Sequence, residues 1–349
     1  MSRLRVFAVA LALIAALALP AGASAASDRD VTVMTRNLYL GADIITAAAA
    51  TSVDDLQLRA TAILGTVQQT NFPVRAKAIA REIDANDPDL VGLQEVALWR
   101  RTPDGVTNAV KDANQVVYDF LAILQKEIKA RGLSYRAAVT KQEADLEVPT
   151  SLNYDIRLTM RDVILVRSGK GAKVKVAKTL KGNFADKLIV NVPSGPIESL
   201  RGWTAIDARV GERSFRFVNT HLEAYGGELR ERQAKQLLRG PLASKKKDII
   251  LVGDLNSDTR DANPERLAIK AIRGAGFVDA FKKAPATSGQ DEKLDNPTSK
   301  LKRYIDRIMS RPTLRTIRTK VVGNRPADRV SGLWPSDHAG TVATLRLPA

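Results

Sequence analysis

Short apolar runs rich in β-branched residues recur from Asp30 to the C-terminus, and several end in polar side chains able to do chemistry. Val31-Thr32-Val33-Met34 leads to Asn37, and Leu90-Val91-Gly92-Leu93 leads to Gln94 and Glu95. Phe215-Arg216-Phe217-Val218 leads to Asn219 and His221, and Ile249-Ile250-Leu251-Val252 leads to Asp254 and Asn256. Such runs, bounded by turn signals, are the pattern of buried strands. Further strands are expected at 135–139, 163–166, 174–177, 188–192, 203–208, 304–309, 314–322 and 341–347.

Helical patterns alternate with these runs. Pro73 opens one over 73–85, with Val74, Ala78, Ile79 and Ile83 on one face. Ser52-Val53-Asp54-Asp55 begins another over 52–69 in the manner of a capping box. A longer one is expected over 110–130, with Val117, Phe120, Leu121, Leu124 and Ile128 at helical spacing and Gly132 past its end. Others fall at 228–238 and 264–272, and loops at 101–108 and 287–298. Strands and helices mix throughout, with no Pro/Ser/Gly-rich linker, so the expectation is one α/β domain over 26–349.

Residues 1–25 read as a secretory signal peptide: Arg3 and Arg5 are followed by an apolar stretch, Pro20, and the small residues Ala23-Ser24-Ala25. The mature protein is therefore expected to be secreted, extracellular or periplasmic. The absence of cysteine excludes thiolate nucleophiles and cysteine-ligated zinc. The formal charge of +16 becomes 16 − 2 = +14 without the leader arginines, which favours a polyanionic partner. Lys245-Lys246-Lys247, the group Lys300, Lys302, Arg303, Arg307, and the group Arg311, Arg315, Arg318, Lys320 are candidates for a phosphate track. Aromatics are only 5% of the chain, with no obvious aromatic hairpin for docking to a lipid surface.

The polar strand ends share a spacing of two, which in extended chain puts both side chains on one face. Asp254 with Asn256, and Asn219 with His221, have this relation. Asp306 lies between Ile305 and Ile308, where an unpaired carboxylate would be costly. The chain has only two histidines, His221 and His338, each inside a polar cluster. Any one of these could be turn chemistry; the repeated layout is harder to explain that way.

The ordered set Thr35-Arg36-Asn37, Leu93-Gln94-Glu95, Asn219-Thr220-His221, Gly253-Asp254-Leu255-Asn256, Ile305-Asp306-Arg307 and Ser336-Asp337-His338 resembles the endonuclease/exonuclease/phosphatase superfamily. Secreted DNase I, abasic-site endonucleases, neutral sphingomyelinases and inositol-phosphate phosphatases belong to it. Arg36-Asn37-Leu38-Tyr39-Leu40-Gly41 resembles an exported bacterial subgroup. The resemblance implies a DNase I-like four-layer α/β/β/α sandwich, in which two facing mixed sheets are flanked by helices. It also implies metal-dependent phosphoester cleavage. By the same resemblance Glu95 is the principal metal ligand, with Asn37 and Asp337 beside it. Asp254 handles the attacking water, Asn256 the phosphoryl group, Asp306 orients His338, and His221 assists the transition state or leaving group. The donor set suits Mg²⁺, with Mn²⁺ or Ca²⁺ possible.

The expected substrate is a polyanionic phosphoester, nucleic acid first, acted on by a monomer. The alternatives are a sphingomyelinase-like phospholipase C that takes a lipid headgroup, an inositol-phosphate phosphatase, or a non-catalytic exported binding or effector protein. The stretch between Asn37 and Glu95 is long for the family and implies an extra helical insertion at about 42–72. Asp162 is a candidate partner for His221, and Arg157 and Arg161 for phosphate, although structural roles fit these three better.

Overall fold

The computed structural model describes residues 28–108, 110–244 and 248–349; the leader expected at 1–25 and Lys245-Lys246-Lys247 lie outside them. The first sheet contains β1 (Asp30–Asn37), β2 (Leu90–Gln94), β3 (Leu98–Arg101), β4 (Gln115–Asp119), β5 (Tyr135–Pro149), β6 (Asp155–Arg167), β15 (Arg315–Val322) and β16 (Gly340–Arg346). Its order is β15-β16-β1-β2-β6-β3-β4, with β5 paired to the other edge of β6. The second sheet contains β7 (Val174–Asn183), β10 (Gly202–Val210), β11 (Arg213–His221), β12 (Asp248–Asp254), β13 (Val278–Asp279) and β14 (Asp306–Arg311), in the order β13-β14-β12-β11-β10-β7. Strands β8 (Leu188–Val192) and β9 (Gly195–Ser199) form a separate hairpin. Both main sheets are mixed: β1 runs parallel to β2 and β11 parallel to β12, while their other neighbours are antiparallel.

Period-two burial explains why the sheets face one another. Val31, Val33, Leu90, Ile164 and Val166 from the first sheet meet Ile206, Phe215, Phe217, Ile250, Val252 and Ile308 from the second in a shared apolar layer. Helices α1 (Val53–Gln69), α2 (Phe72–Asn86) and α3 (Phe120–Ala130) bury their apolar stripes against the outer face of the first sheet. Helices α4 (Gly227–Arg239) and α5 (Leu267–Gly274) do the same for the second. The result is four layers, α/β/β/α. Among the described residues no helix is long and apolar enough to cross a membrane.

The residues at 42–72 form a 3₁₀ turn, Ile44–Ala49, followed by α1. The Ser52 hydroxyl caps α1 by accepting from the Asp55 amide, and Leu56, Ala60, Ile63, Leu64 and Val67 face inward. The helix expected over 110–130 is corrected. Gln115, Val116 and Tyr118 pair with β3 around a bulge at Val117, and Asp119 then starts α3 by accepting from the amides of Leu121 and Ala122. An N-cap acid splits what periodicity alone joins into one helix. The short strands β3, β9 and β13 carry too little pattern to be read in advance.

Two glycines set how closely the polar ends of the strands approach. A Cβ on Gly92 would lie 2.6 Å from Asn219 Oδ1 and 2.6 Å from Val252 Cγ2, both on the opposite sheet. Gly253 has φ +142°, and a Cβ there would lie 1.9 Å from the Thr220 carbonyl oxygen. Gly92→Ala should therefore push the sheets apart and cost about 1–3 kcal/mol, as overpacking does. Urea unfolding measures this, and an unchanged midpoint would contradict so tight a contact.

Candidate active site

The polar groups continue the same inward face that, further along each strand, carries the apolar layer. On β1 the face runs Val31-Val33-Thr35-Asn37, on β11 Phe215-Phe217-Asn219-His221, and on β12 Ile250-Val252-Asp254. Strand register then aligns them. Asn37 is opposite Gln94, while His221, Asp254 and Asp306 stand abreast on three neighbouring strands. At adjacent-strand spacings of about 4.8 Å, side chains on one face are forced into contact.

A hydrogen-bond network joins the two sheets. Asn37 Nδ2 donates to Glu95 Oε1 at 2.9 Å and to Asp254 Oδ2 at 3.2 Å. The Leu40 amide donates to Glu95 Oε2 at 2.8 Å, and the Asn256 amide donates to Asp254 Oδ1 at 2.9 Å. His338 Nδ1 lies 2.8 Å from Asp306 Oδ2 and 3.7 Å from Asp254 Oδ2. His221 Nε2 lies 3.6 Å from the same Asp254 oxygen. The structure thus brings together Asn37, Glu95, His221, Asp254, Asn256, Asp306, Asp337 and His338, which line or border one cleft. Glu95, Asn256 and Tyr39 carry φ values of 54°, 48° and 56°. Non-glycine residues seldom hold that left-handed conformation, and such strain tends to gather at functional sites.

The two imidazoles are held in different charge states, one charged and one neutral. Burial disfavours a charged His338, but Asp306, Asp337 and Asp254 together outweigh it and raise its pKa well above the ordinary value. Burial and the adjacent Arg201 guanidinium lower the pKa of His221 well below the ordinary value. Arg201 Nη1 is 2.9 Å from His221 Nδ1. Asn256 Nδ2 lies 3.2 Å from Nε2; the shorter contact is to the guanidinium, which only donates, so Nδ1 accepts and neutral His221 carries its proton on Nε2, on the side of Asn256 and Asp254. Burial raises the pKa of Asp254, but charged His338 and the hydrogen bonds from Asn256 and Asn37 bring it below the ordinary value, so it is ionised.

Sequence reading missed several groups here. Arg201 holds the position beside His221 for which Asp162 was a candidate. It is fixed by Glu223, 3.3 Å from its Nε. Neither side-chain oxygen of Asp162 has a hydrogen-bond partner. Arg161 donates to Val96 and Ala97 carbonyls and pairs with Asp119, and Arg157 pairs with Asp145, so both are structural. Arg75, buried on α2, donates to the carbonyls of Leu38, Tyr39 and Pro335, which pins the loop after Asn37 to the loop before Asp337. None of these arginines sits in a motif that could have marked it.

A match to the Endonuclease/Exonuclease/phosphatase family spans residues 67–338. The chain belongs to that family. Its members are divalent-metal-dependent phosphoester hydrolases, and this chain is one by membership. No curated protein matches it. A family protein from Bacteroides thetaiotaomicron shares 16% identity at a TM-score of 0.56, over 92% of this chain and 98% of that one. The mannosyl-6-phosphatase of the same organism shares 18% at 0.52, over 91% and 100%. D. rerio TDP2, solved with a single-strand DNA product, shares 16% at 0.52, over 91% and 99%. At these identities the likeness is one of fold.

The donors fit a hard divalent ion. Burial and then the facing Asp337 carboxylate raise the pKa of Glu95, and burial raises that of Asp337, so a cation between them would relieve both. Asp254, Asp306 and His338 also offer ligand atoms within 4.8 Å of one another. A cation at that second set would require an uncharged His338.

Near Arg201 lies a buried acidic pair. Neither carboxylate oxygen of Glu143 or of Asp162 has a hydrogen-bond partner. Burial pushes Glu143 up to about 7, against the pull of Lys141 and Arg201. Unfolded, the group titrates near ~4.3. Between there and about 7 the folded protein keeps a proton that the unfolded chain has lost. This contribution to stability is therefore present at low pH and is lost as pH rises to about 7. Glu143→Gln should flatten the decline, stabilising the protein by about 1–3 kcal/mol at pH 8 and little at pH 4.5. Urea titrations at both pH values would show it.

Proposed function

We propose that this chain is an exported hydrolase that attacks a phosphoester with water held by Asp254, using Mg²⁺ at Glu95 and Asp337 with Asn37 beside them. The carrying observation is one carboxylate oxygen, Asp254 Oδ2, placed 3.6 Å from a neutral His221 and 3.7 Å from a charged His338. The ionised Asp254 accepts a hydrogen bond from water and takes its proton as the water oxygen bonds to phosphorus. His338, kept charged by Asp306, donates to a phosphoryl oxygen as negative charge grows there. His221 Nε2–H and the Asn256 amide face the same oxygens, and the ester P–O bond breaks with the proton passing to the leaving oxygen. A bound divalent ion supplies Lewis-acid neutralisation of the phosphoryl oxygens. Mn²⁺ and Ca²⁺ suit the same hard oxygen donors.

The charge of 16 − 2 = +14 without the leader arginines supports nucleic acid as a substrate class. The clusters near Asp306 support it less, because several of their members are engaged elsewhere. Lys300 pairs with Asp291, Arg303 with Asp261 and buried Arg307 with Asp279, while Arg311 donates to backbone carbonyls. Arg315, Arg318 and Lys320 lie exposed on the edge strand β15, where charge discourages pairing with another sheet. Export rests on the leader pattern at 1–25, and the mature protein should begin at Ala26 when its N-terminus is sequenced.

Asp254→Asn and His338→Ala should each lower kcat/KM by about 10²–10⁴ without loss of fold. Glu95→Gln should raise the Mg²⁺ concentration needed for half-maximal rate. Steady-state kinetics on simple phosphoesters, with thermal melts as a folding control, tests all three. Full activity in Asp254→Asn would remove the proposed base.

A further inference from the structure

The cleft does not end at the phosphoester centre. It continues as a cavity of about 410 Å³ in all, within the ~300–1,000 Å³ usual for small-molecule sites. One end is bordered by Glu95, His221, Asp254 and His338. The rest is walled by aliphatic side chains from three parts of the chain: Ile44 and Ile45 of the turn before α1, Leu146 and Leu158 of β5 and β6, and Val190 and Ile197 of the β8–β9 hairpin. All of these except Leu158 are only partly buried in the protein alone. On β8, Leu188, Val190 and Val192 share the face that lines the cavity, while Ile189 between them is 53% exposed on the other side.

The buried polar groups along these walls are already engaged, and the other polar lining residues Asp43, Tyr225 and Glu292 are exposed to solvent. The Trp99 indole N–H donates to the Leu40 carbonyl at 2.9 Å, and the Tyr39 hydroxyl donates to the Glu292 carbonyl at 3.0 Å. Ser199 Oγ donates to Glu223, and Arg201 is shared between Glu223 and His221. A nucleobase or a sugar would bury donors and acceptors here without partners, which is costly. A hydrocarbon chain needs none.

We propose that this cavity binds an aliphatic chain carried on the reacting phosphate, so that the substrates are phosphoesters of long-chain alcohols. This rests on reading Glu95, Asp254 and His338 as the phosphoester-cleaving centre. The products are the alcohol, which takes a proton at the cleaved oxygen, and a phosphate that has gained the water oxygen. The residues before α1 and the β8–β9 hairpin then determine specificity by closing the aliphatic walls.

The test uses n-alkyl phosphates and their methyl diesters of increasing chain length, below their micelle concentrations, with saturating Mg²⁺. In parallel, calorimetry measures binding of n-alkylphosphonates, whose C–P bond cannot be hydrolysed this way. The expected result is a gain in kcat/KM and in phosphonate affinity of roughly three- to fourfold per methylene until the cavity is full. Val190→Asp and Ala47→Phe, in the cavity walls, should each lower kcat/KM for the long-chain ester at least tenfold more than for the methyl ester. Hydrolysis of short esters or plasmid DNA, with no gain from chain length in either assay, overturns the chain site and leaves the hydrolase reading standing. Phosphonate affinity that rises with chain length without hydrolysis of any ester supports the chain site and removes the hydrolase reading. No hydrolysis and no chain-length effect removes both.

Discussion

The amide pair Gln94–Asn219 joins the two sheets directly beneath the site. Gln94 Nε2 is 2.5 Å from Asn219 Oδ1, and Asn219 Nδ2 donates to the Leu93 carbonyl at 3.1 Å. Below this pair the sheets meet through aliphatic and phenyl side chains; above it they meet through carboxylates, amides and imidazoles. Two buried amides joined by one hydrogen bond, with their other groups paired to Thr35 and to the Leu93 carbonyl, mark the change from an apolar seam to a polar one. Leaving either alone would strand its partner in low dielectric, which costs more than the bond itself contributes. Gly92, pressed against Asn219, keeps the gap narrow enough for the pair to meet.

Buried arginines do the corresponding work in the loops. Arg36 is fully buried, pairs with Glu82 of α2 at 3.0 Å, and donates to the His338 carbonyl. Arg75 reaches the loop after β1 and the loop before Asp337. Irregular backbone buried at a site needs partners for its carbonyls, and a guanidinium with five donors can serve several at once. Helix α2 thereby sets the height of Asn37 and Asp337 above the seam, although neither residue belongs to it.

These facts separate what was legible in the sequence from what was not. Strand ends with period-two alternation were readable because one register decides both burial and chemistry. Val31, Val33 and Asn37, or Ile250, Val252 and Asp254, differ only in how far along one face they lie. That Asp306 needs a partner followed from local cost, since a carboxylate among apolar neighbours has to find a cation or donor; that the partner is His338 was what the family resemblance implied. Arg75, Arg201 and Glu82 act through contacts with residues remote in sequence, and a single basic or acidic residue on a helix or at a strand start looks like a solvated one. The strand-then-helix over 115–130 was hidden for another reason: Val117 and Phe120 keep helical spacing across a boundary that only the Asp119 cap reveals. The cavity walls were hidden too, because β8 reads as an ordinary alternating strand whichever side its aliphatic face meets.

The cost of assembling this site explains why its two histidines differ. Asp254, Asp306, Asp337 and Glu95 crowd around a narrow opening, and mutual repulsion would favour protonating some of them. One imidazolium among them lowers that cost, and His338, facing three carboxylates, takes that role. A second imidazolium would gain less, because His221 faces Arg201 on one side and only Asp254 on the other. Arg201 therefore leaves one histidine as a fixed positive charge and the other as a neutral donor, 3.7 Å and 3.6 Å from the same carboxylate oxygen. A carboxylate flanked in this way stays ionised and pointed, as the proposed base requires. The same Arg201 borders the aliphatic cavity, so the charge that sets the state of His221 also closes the polar end of the apolar walls.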